Sequence, residues 1–461
     1  MEEELAKKAE VLKNLAVVNA AQQDFDASLR NAESALEIYE KLGDKHNMVA
    51  MHMHIQLLYT GGWGGAREDK ALKHLEAIAA IVDEDPDSMD KALVYQRTAR
   101  AYLHRGQPAT TLTWAQKTVD MLDRLGVSMG TSLGTAWTYI GWIDEGIAYN
   151  EKNWPPVQKA GNPIVIAILG GDLCVTLALV RDIPRARGWG ETILPEAIKF
   201  GIPTIEACLR RPLTLIYALS GEMAKAEEAC QAVKSIESKM VAGGLFEDVA
   251  GVGYHYLRQG EWDKAGEYLE WAIPFHQDRN NLAAVGACSL VLGSLNLELG
   301  NYAKSEELLL KSLEICQKGG NVLFELWVLP VLAELYLKMG QPDKTAEYVD
   351  RGFELLKPDK NWYGLPAPMY LARGMLATAR KDWGTAAQSF DKSIQINRQY
   401  QLPWDEAKTL YERGLMYLAR GRKVDREKAH EDLDEALAIF QKVGAKKDVE
   451  KVLRKKERLG A

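Results

Sequence analysis

Apolar residues recur along this chain with the spacing of amphipathic helices, and the helices come in pairs. Each pair consists of an apolar helix, a tight turn, a second helix and a short loop. The regular turns begin at Gly221, Gly260, Gly300, Gly340, Lys381 and Gly421, at successive distances of 39, 40, 40, 41 and 40 residues. A fixed period of about 40 residues predicts an all-α solenoid in which each unit packs against its neighbours.

The residue types within one unit explain how its two helices pack closely. Glycine at the turn ends the first helix, because glycine adopts the left-handed conformation at little cost. The aromatic residue two positions later, as in Trp262, Tyr302 and Trp383, is predicted to fill the corner between the helices. Small residues seven positions before the turn and five after it, such as Gly253 and Ala265, let the helices approach each other.

The pattern extends over the whole chain, and we predict one domain, residues 1–461, with about eleven antiparallel helix pairs in a right-handed superhelix. Residues 1–125 hold N-terminal repeats, 203–443 the regular repeats and 444–461 a C-terminal capping helix. Residues 126–202 form an irregular middle rich in proline and tryptophan, where Pro155, Pro156 and Pro163 are expected to interrupt a helix. The glycine-rich turn Gly61–Gly65 is predicted to be a hinge.

The amino-acid composition argues against some classes of function. A hydrophobic content of 47% and a charged content of 26% are ordinary for a folded soluble protein. The net charge of −7 argues against a general nucleic-acid binder. No stretch approaches about 18 apolar residues, so we expect no membrane span. The acidic start lacks the apolar core of a signal peptide, and five scattered cysteines are typical of reduced core residues, so a cytoplasmic location is predicted.

Catalytic motifs are weak. Two overlapping G-x-S-x-G segments, centred on Ser128 and Ser132, would need a strand before the serine, whereas the pattern predicts a helix there. His52 and His54 are two positions apart on a helix, so they face nearly opposite sides and do not easily share a metal ion. We therefore expect no enzyme, no cofactor and no metal site; catalysis would require a constellation of inward-facing Glu, His and Arg side chains.

The order of small residue, aromatic residue, turn and Ala-x-x-x-large residue resembles the tetratricopeptide repeat. The matches are Ala265-x-x-x-Leu269, Ala386-x-x-x-Phe390 and Ala429-x-x-x-Leu433. The period exceeds the usual one of about 34 residues. Such long repeats resemble the sensor halves of bacterial signal-transducing ATPases, the MalT-like regulators and the adenylate-cyclase-linked ATPases. Residues 407–414, 425–429 and 433–440 look like the last repeat of those proteins, whose ATPase and effector domains have no counterpart here.

The resemblance implies that the first helix of each pair lines a concave groove. Positions two, six or ten residues before each turn should face inward, and Trp327 lies one helical turn further back. The predicted binding residues are Arg100, His104, Trp142, Arg211, Tyr254, Arg258, Trp327, Glu334, Lys338 and Tyr411. Arg, Tyr and Trp dominate binding hot spots, so a hydrated recognition surface is one interpretation. Salt bridges and packing between repeats are the alternative.

We therefore predict a non-catalytic scaffold or sensor in signalling or regulation that binds a peptide or partner protein in its groove. A small-molecule sensor, or a regulatory subunit of a larger complex, is the alternative. The proline- and tryptophan-rich break at 150–190 is the candidate pocket or hinge. The basic residues after Ala445 are interpreted as part of a cap, with a patch for phosphate or anionic lipid as the alternative. Neither nucleic acid nor a membrane is an expected partner.

Overall fold

The computed structural model describes residues 2–22, 24–59, 68–127, 132–237 and 249–460, and the regular structure in these ranges is entirely α-helical. The helices are α1 (Glu2–Ala21), α2 (Phe25–Leu42), α3 (Lys45–Tyr59), α4 (Glu68–Val82), α5 (Met89–His104), α6 (Pro108–Leu125), α7 (Leu133–Tyr139), α8 (Ile143–Ala160), α9 (Pro163–Leu179), α10 (Ile183–Lys199), α11 (Pro203–Ser220), α12 (Met223–Glu237), α13 (Val249–Gln259), α14 (Trp262–Asp278), α15 (Leu282–Glu298), α16 (Tyr302–Gly319), α17 (Val322–Lys338), α18 (Pro342–Leu355), α19 (Pro366–Ala379), α20 (Trp383–Gln399), α21 (Pro403–Arg420), α22 (Asp425–Lys442) and α23 (Lys446–Gly460).

These helices make eleven pairs, α1/α2 to α21/α22, followed by the single helix α23. The all-α solenoid and its number of pairs, which were predicted from the period, are thus confirmed for the described ranges. The Gly61–Gly65 turn and Ser128 lie outside the described residues.

The middle of the chain is more regular than its prolines suggest. Helix α8 continues through Pro155 and Pro156, where an interruption was expected. Trp154 and Val157 on either side of the prolines are buried with Leu173 of α9. Tertiary packing of an apolar face stabilises a helix more than local propensity does, so this burial offsets the hydrogen bonds that the prolines remove.

Within a pair, glycines of the first helix contact large side chains of the second. A Cβ atom on Gly253 would lie 2.5 Å from a methyl group of Leu269, and one on Gly293 would lie 2.8 Å from Leu309. Between α15 and α16, the Ser305 hydroxyl also donates a hydrogen bond to the Gly293 carbonyl at 2.8 Å. The small and large residues of the repeat pattern therefore face each other directly, which fixes the spacing of the two helices.

The solenoid is wound so tightly that its second superhelical turn rests on its first. Helices α5, α7 and α11 contact α15, α17 and α21, which in each case lie ten helices later. Tyr363 donates to Asp144 at 2.6 Å and Lys360 donates to the Gly141 carbonyl at 3.1 Å, both across 219 residues. One superhelical turn thus takes about 220 residues, or about five helix pairs.

The odd-numbered helices form the inner layer of the superhelix. From α7 to α21, each odd-numbered helix contacts the next odd-numbered one as well as its own partner. Helices α15 and α17 are buried on almost every side. Five inner helices, α13, α15, α17, α19 and α21, therefore surround the axis of the C-terminal superhelical turn, and this arrangement creates the candidate site.

Contact between the superhelical turns can be tested at two glycines that share one backbone conformation. Gly221 and Gly126 have φ values of +77° and +65°, but a Cβ on Gly221 would lie 2.5 Å from Val443, whereas one on Gly126 meets nothing within 4 Å. We expect Gly126→Ala to cost about 1–2 kcal/mol for the left-handed backbone alone. Gly221→Ala should cost about 1–3 kcal/mol more through overpacking.

Thermal unfolding of the two variants measures this difference. The larger loss of melting temperature should belong to Gly221→Ala. Equal losses would show that the contact between Gly221 and Val443 does not stabilise the stacked superhelical turns.

Candidate binding site

A cavity of about 140 Å³ lies on the axis of the C-terminal superhelical turn. Its walls come from the inner helices α13, α15, α17, α19 and α21, with Asp448 of α23 at one side and Arg181 of the turn between α9 and α10 at another. The apolar part of the wall consists of Leu257, Leu290, Val291, Leu297, Leu326, Pro330, Val331, Leu365, Pro368, Leu371, Ala372 and Met375.

Aromatic rings form the more specific part of the wall and are held in place by polar contacts. Trp327 packs edge-on against Tyr254 with ring centroids 6.2 Å apart, and its indole donates to the Leu179 carbonyl at 2.8 Å. The indole of Trp404 donates to Asp448 at 2.9 Å, and the Arg258 guanidinium lies 3.2 Å from its ring centroid. An aromatic wall fixed in this way is preorganised for a ligand, so binding would cost little ordering.

Two arginines from different superhelical turns share the buried carboxylate of Asp405. Arg181 donates to Asp405 at 2.8 Å across 224 residues, and Arg258 donates to it at 3.3 Å. Burial would raise the pKa of Asp405, but the charges of Arg181 and Arg258 outweigh it and hold that pKa below its ordinary value. The carboxylate is therefore ionised at neutral pH and ties the two turns together.

Arg181 has an unusual backbone for its residue type. It has a φ of +66° at the turn position where most other units carry glycine. A left-handed conformation costs a non-glycine residue about 1–2 kcal/mol. The bond to Asp405 and the stacking of the guanidinium 5.1 Å from the Trp327 ring centroid offset this cost.

A second group of charged residues extends from the cavity wall to helix α23. Glu334 accepts a hydrogen bond from Lys408 at 2.6 Å and lies 3.1 Å from Lys338. Burial opposes ionisation of Glu334, yet the lysine charges lower its pKa well below the ordinary value. Lys338 and Lys451 lie 4.0 and 3.7 Å from Glu298, so one chain of ion pairs runs from α17 to α23.

A wider cleft of about 670 Å³ adjoins the cavity. The two share Trp262, Leu297, Glu298 and Asp448 as lining residues. Tyr411 of α21 lies in the cleft, and burial raises the pKa of its hydroxyl to about 12, so it is a neutral hydrogen-bonding group at neutral pH. The opposite wall of the cleft is one face of α23.

Six of the ten residues predicted from the sequence come together here. Tyr254, Arg258, Trp327 and Glu334 line the cavity, while Lys338 and Tyr411 line the cleft. The charged members are ion-paired between repeats, as in the alternative interpretation of the pattern, and Glu334 and Arg258 are largely buried.

The other four predicted residues lie elsewhere. Arg100 of α5 is 3.8 Å from Asp172, whose pKa is raised by burial. His104 and Arg211 are buried, and burial, followed by the charges of Arg279, Arg211 and His104, lowers the pKa of His276 to about 4. These residues form polar surroundings separate from the cavity and the cleft.

Trp142 lies apart from both groups. Its side chain is 47% exposed, and its ring lies 6.4 Å from that of Trp137. It lines neither the cavity nor the cleft.

The cavity does not lie in the segment that the sequence favoured. It is built from residues 254–448, and of residues 150–190 only Arg181 lines it. Sequence reasoning also missed Trp404, Asp405, Lys408 and Asp448. The one available signal was Arg181 at a turn position typical of glycine, because a costly backbone conformation indicates a side chain with a role.

A metal-binding cluster and a membrane-spanning helix are both absent from the described ranges. Among them, no group of three or more His, Cys, Asp or Glu side chains is arranged to hold a metal ion. No helix in the described ranges is long and apolar enough to cross a bilayer.

The shared carboxylate generates a prediction for stability and its pH dependence. Asp405→Asn should cost about 3–5 kcal/mol, because it leaves two largely buried guanidinium groups without their carboxylate. Since the pKa of Asp405 is lowered by folding, its contribution is present above about pH 4 and is lost as the pH falls through the folded-state value. The difference in melting temperature between the two proteins should therefore shrink below about pH 4.

The control is Asp343→Asn, which removes a carboxylate that is 99% exposed and 3.4 Å from Arg380. It should change stability by less than about 1 kcal/mol. A melting temperature for Asp405→Asn that matches this control would contradict the structural role of Asp405.

One segment of the chain matches the model of a known protein family. Residues 287–357, from within α15 to just past α18, match the family model of the tetratricopeptide repeat. A comparison with curated protein sequences found no match.

Several solved structures are similar over most of the chain. The APC/C hetero-tetramer Cut9–Hcn1 is 12% identical, covering 98% of both chains with a TM-score of 0.43. The human IFIT1 dimer with m7Gppp-AAAA is 16% identical, covering 90% of both chains with a TM-score of 0.44. Rap protein complexed with competence and sporulation factor is 12% identical, covering 86% of this chain and 98% of that one with a TM-score of 0.40. These likenesses are too distant to carry a functional argument, and we identify the chain as an α-solenoid of helix pairs in which residues 287–357 match the tetratricopeptide repeat.

Proposed function

We propose that this solenoid is a non-catalytic binding protein that takes a segment of a partner protein into the cleft, with one side chain of that segment anchored in the cavity. The observation that carries the proposal is the continuity of the two spaces, which share four lining residues. A cavity of about 140 Å³ suits a side chain rather than a whole helix, and the cleft of about 670 Å³ beside it leaves room for the flanking residues.

The composition of the walls supports binding rather than catalysis. Trp327, Trp404 and Tyr254 supply rigid aromatic area, and the charged groups beside them are held in ion pairs. Buried aromatic and arginine anchors surrounded by apolar contacts are typical of binding hot spots. A general base or nucleophile would instead need a side chain free to act on a substrate. A role as a scaffold in signalling or regulation is part of this proposal.

A small-molecule sensor, as in the MalT-like proteins, is the second candidate. The observation that favours it is the position of the cavity on the axis, walled by five consecutive inner helices. A ligand that contacts all five could alter the small rotations between repeats and so change the pitch of the superhelix.

Filling the cavity tests both candidates without unfolding the protein. Ser294 lines the cavity, and among the described residues its hydroxyl bonds only to the Leu290 carbonyl of its own helix, at 2.8 Å. Ser294→Leu should occupy the cavity and leave the melting temperature unchanged or raise it, because leucine favours helices and fills space. Ser294→Ala is the matched control, since it removes the hydroxyl without filling the cavity.

The measurement is native mass spectrometry of the tagged full chain recovered from its own cell lysate. We expect a discrete co-purified protein with the native chain and with Ser294→Ala, and its loss with Ser294→Leu. A small-mass adduct with the same dependence would favour the sensor and contradict partner binding. A partner that is retained by Ser294→Leu would contradict the role of the cavity.

A further inference from the structure

Helix α23 presents a row of lysine and arginine side chains to the cleft. Lys447, Lys451, Arg454, Lys455 and Arg458 all line the cleft, and their spacing places them on one face of α23. The opposite face is apolar and packs on α22, with Val452 fully buried. We call these five residues the cationic stripe. It lines one wall of an open cleft, in which Arg454 and Arg458 are exposed and the other three side chains are partly buried.

The acidic residues nearby neutralise only part of the cationic stripe. Glu298 lies 3.7 Å from Lys451, and Glu450, on α23 itself, lies 3.5 Å from Lys447 and 3.2 Å from Arg454. Within the described part of the chain, Lys455 and Arg458 have no carboxylate at ion-pairing distance. The positive charge of the cleft is thus concentrated at the end of α23 that lies furthest from the cavity.

The whole cleft carries an excess of basic residues. Six basic side chains face four acidic ones. Burial raises the pKa of two of those acids, Glu412 and Asp448. The cleft therefore differs in sign from the protein as a whole, whose net charge is −7.

We propose that the partner segment is acidic, with its carboxylates held by Lys455 and Arg458 and an apolar side chain further along the segment inserted into the cavity. This inference rests on the binding function proposed above and adds the chemistry of the partner. Charge complementarity favours an acidic segment and disfavours a basic one. A bilayer is a poor occupant because membrane-binding cations lie on an exposed amphipathic face, and here the apolar face of α23 is buried in the protein.

Fluorescence anisotropy of the full chain with three dye-labelled dodecapeptides tests the proposal. Each peptide carries one central leucine, and the flanks are aspartate and glutamate, serine and glutamine, or lysine and arginine. We expect the acidic peptide to bind most tightly and its Kd to rise with added NaCl, because salt screens exposed charges. The double variant Lys455→Glu with Arg458→Glu should weaken this binding by about tenfold or more.

The matched control is Lys423→Glu with Lys442→Glu, which makes the same change of net charge at exposed positions outside the cleft. It should leave the Kd of the acidic peptide within about twofold. Equal weakening by both double variants would show that only net charge matters and would overturn the assignment to the cationic stripe.

The outcomes separate this inference from the function on which it rests. If the neutral peptide binds as tightly as the acidic one, the acidic chemistry is wrong while peptide binding stands. If none of the three peptides binds, peptide binding in the cleft itself fails. If the acidic peptide binds Ser294→Leu as tightly as the native chain, the anchoring of its leucine in the cavity is wrong.

Discussion

The structure depends on the contact between two superhelical turns of one chain. A solenoid unit ordinarily contacts only its neighbours, so its curvature is free to vary with small rotations between units. Here α5, α7 and α11 each contact the helix ten places later, and Arg181 bonds to Asp405 across 224 residues. These long-range contacts set the pitch of the superhelix, and the space left on its axis is consequently small and defined.

The same contact explains the charge arrangement around the cavity. Asp405 is buried, and it is ionised because arginines reach it from two elements, the turn before α10 and the inner helix α13. Removing water from such groups is costly, and several charge-assisted hydrogen bonds are needed to compensate. Arg181 therefore joins the two superhelical turns through Nη2 and lines the cavity with the same side chain.

Helix α23 forms one wall of the cleft. Its apolar side is buried against α22, which leaves its polar side to face the cleft and the solvent. In this chain part of the polar side also contacts the regular repeats, because Lys446 donates to Glu261 at 2.6 Å and Lys451 lies 3.7 Å from Glu298. Helix α23 thus packs onto the C-terminal superhelical turn, and its charged residues line the cleft.

Local spacing was enough to predict much of the fold. The period of about 40 residues, the turn glycines and the facing small and large residues, such as Gly253 and Leu269, are all short-range features, and they determined the helix pairs and their number. Counting back from each turn also predicted that Tyr254, Arg258, Trp327 and Glu334 face inward, and all four line the cavity.

Only the tertiary structure decided where the site lies and what surrounds it. Asp405, Trp404 and Asp448 reach the cavity from the far end of the chain, and Arg181 reaches it from the preceding superhelical turn. A repeat period predicts how each unit packs against the next, but it does not predict how many units complete a superhelical turn. That number follows from small rotations summed over five helix pairs, and it determines which distant side chains meet.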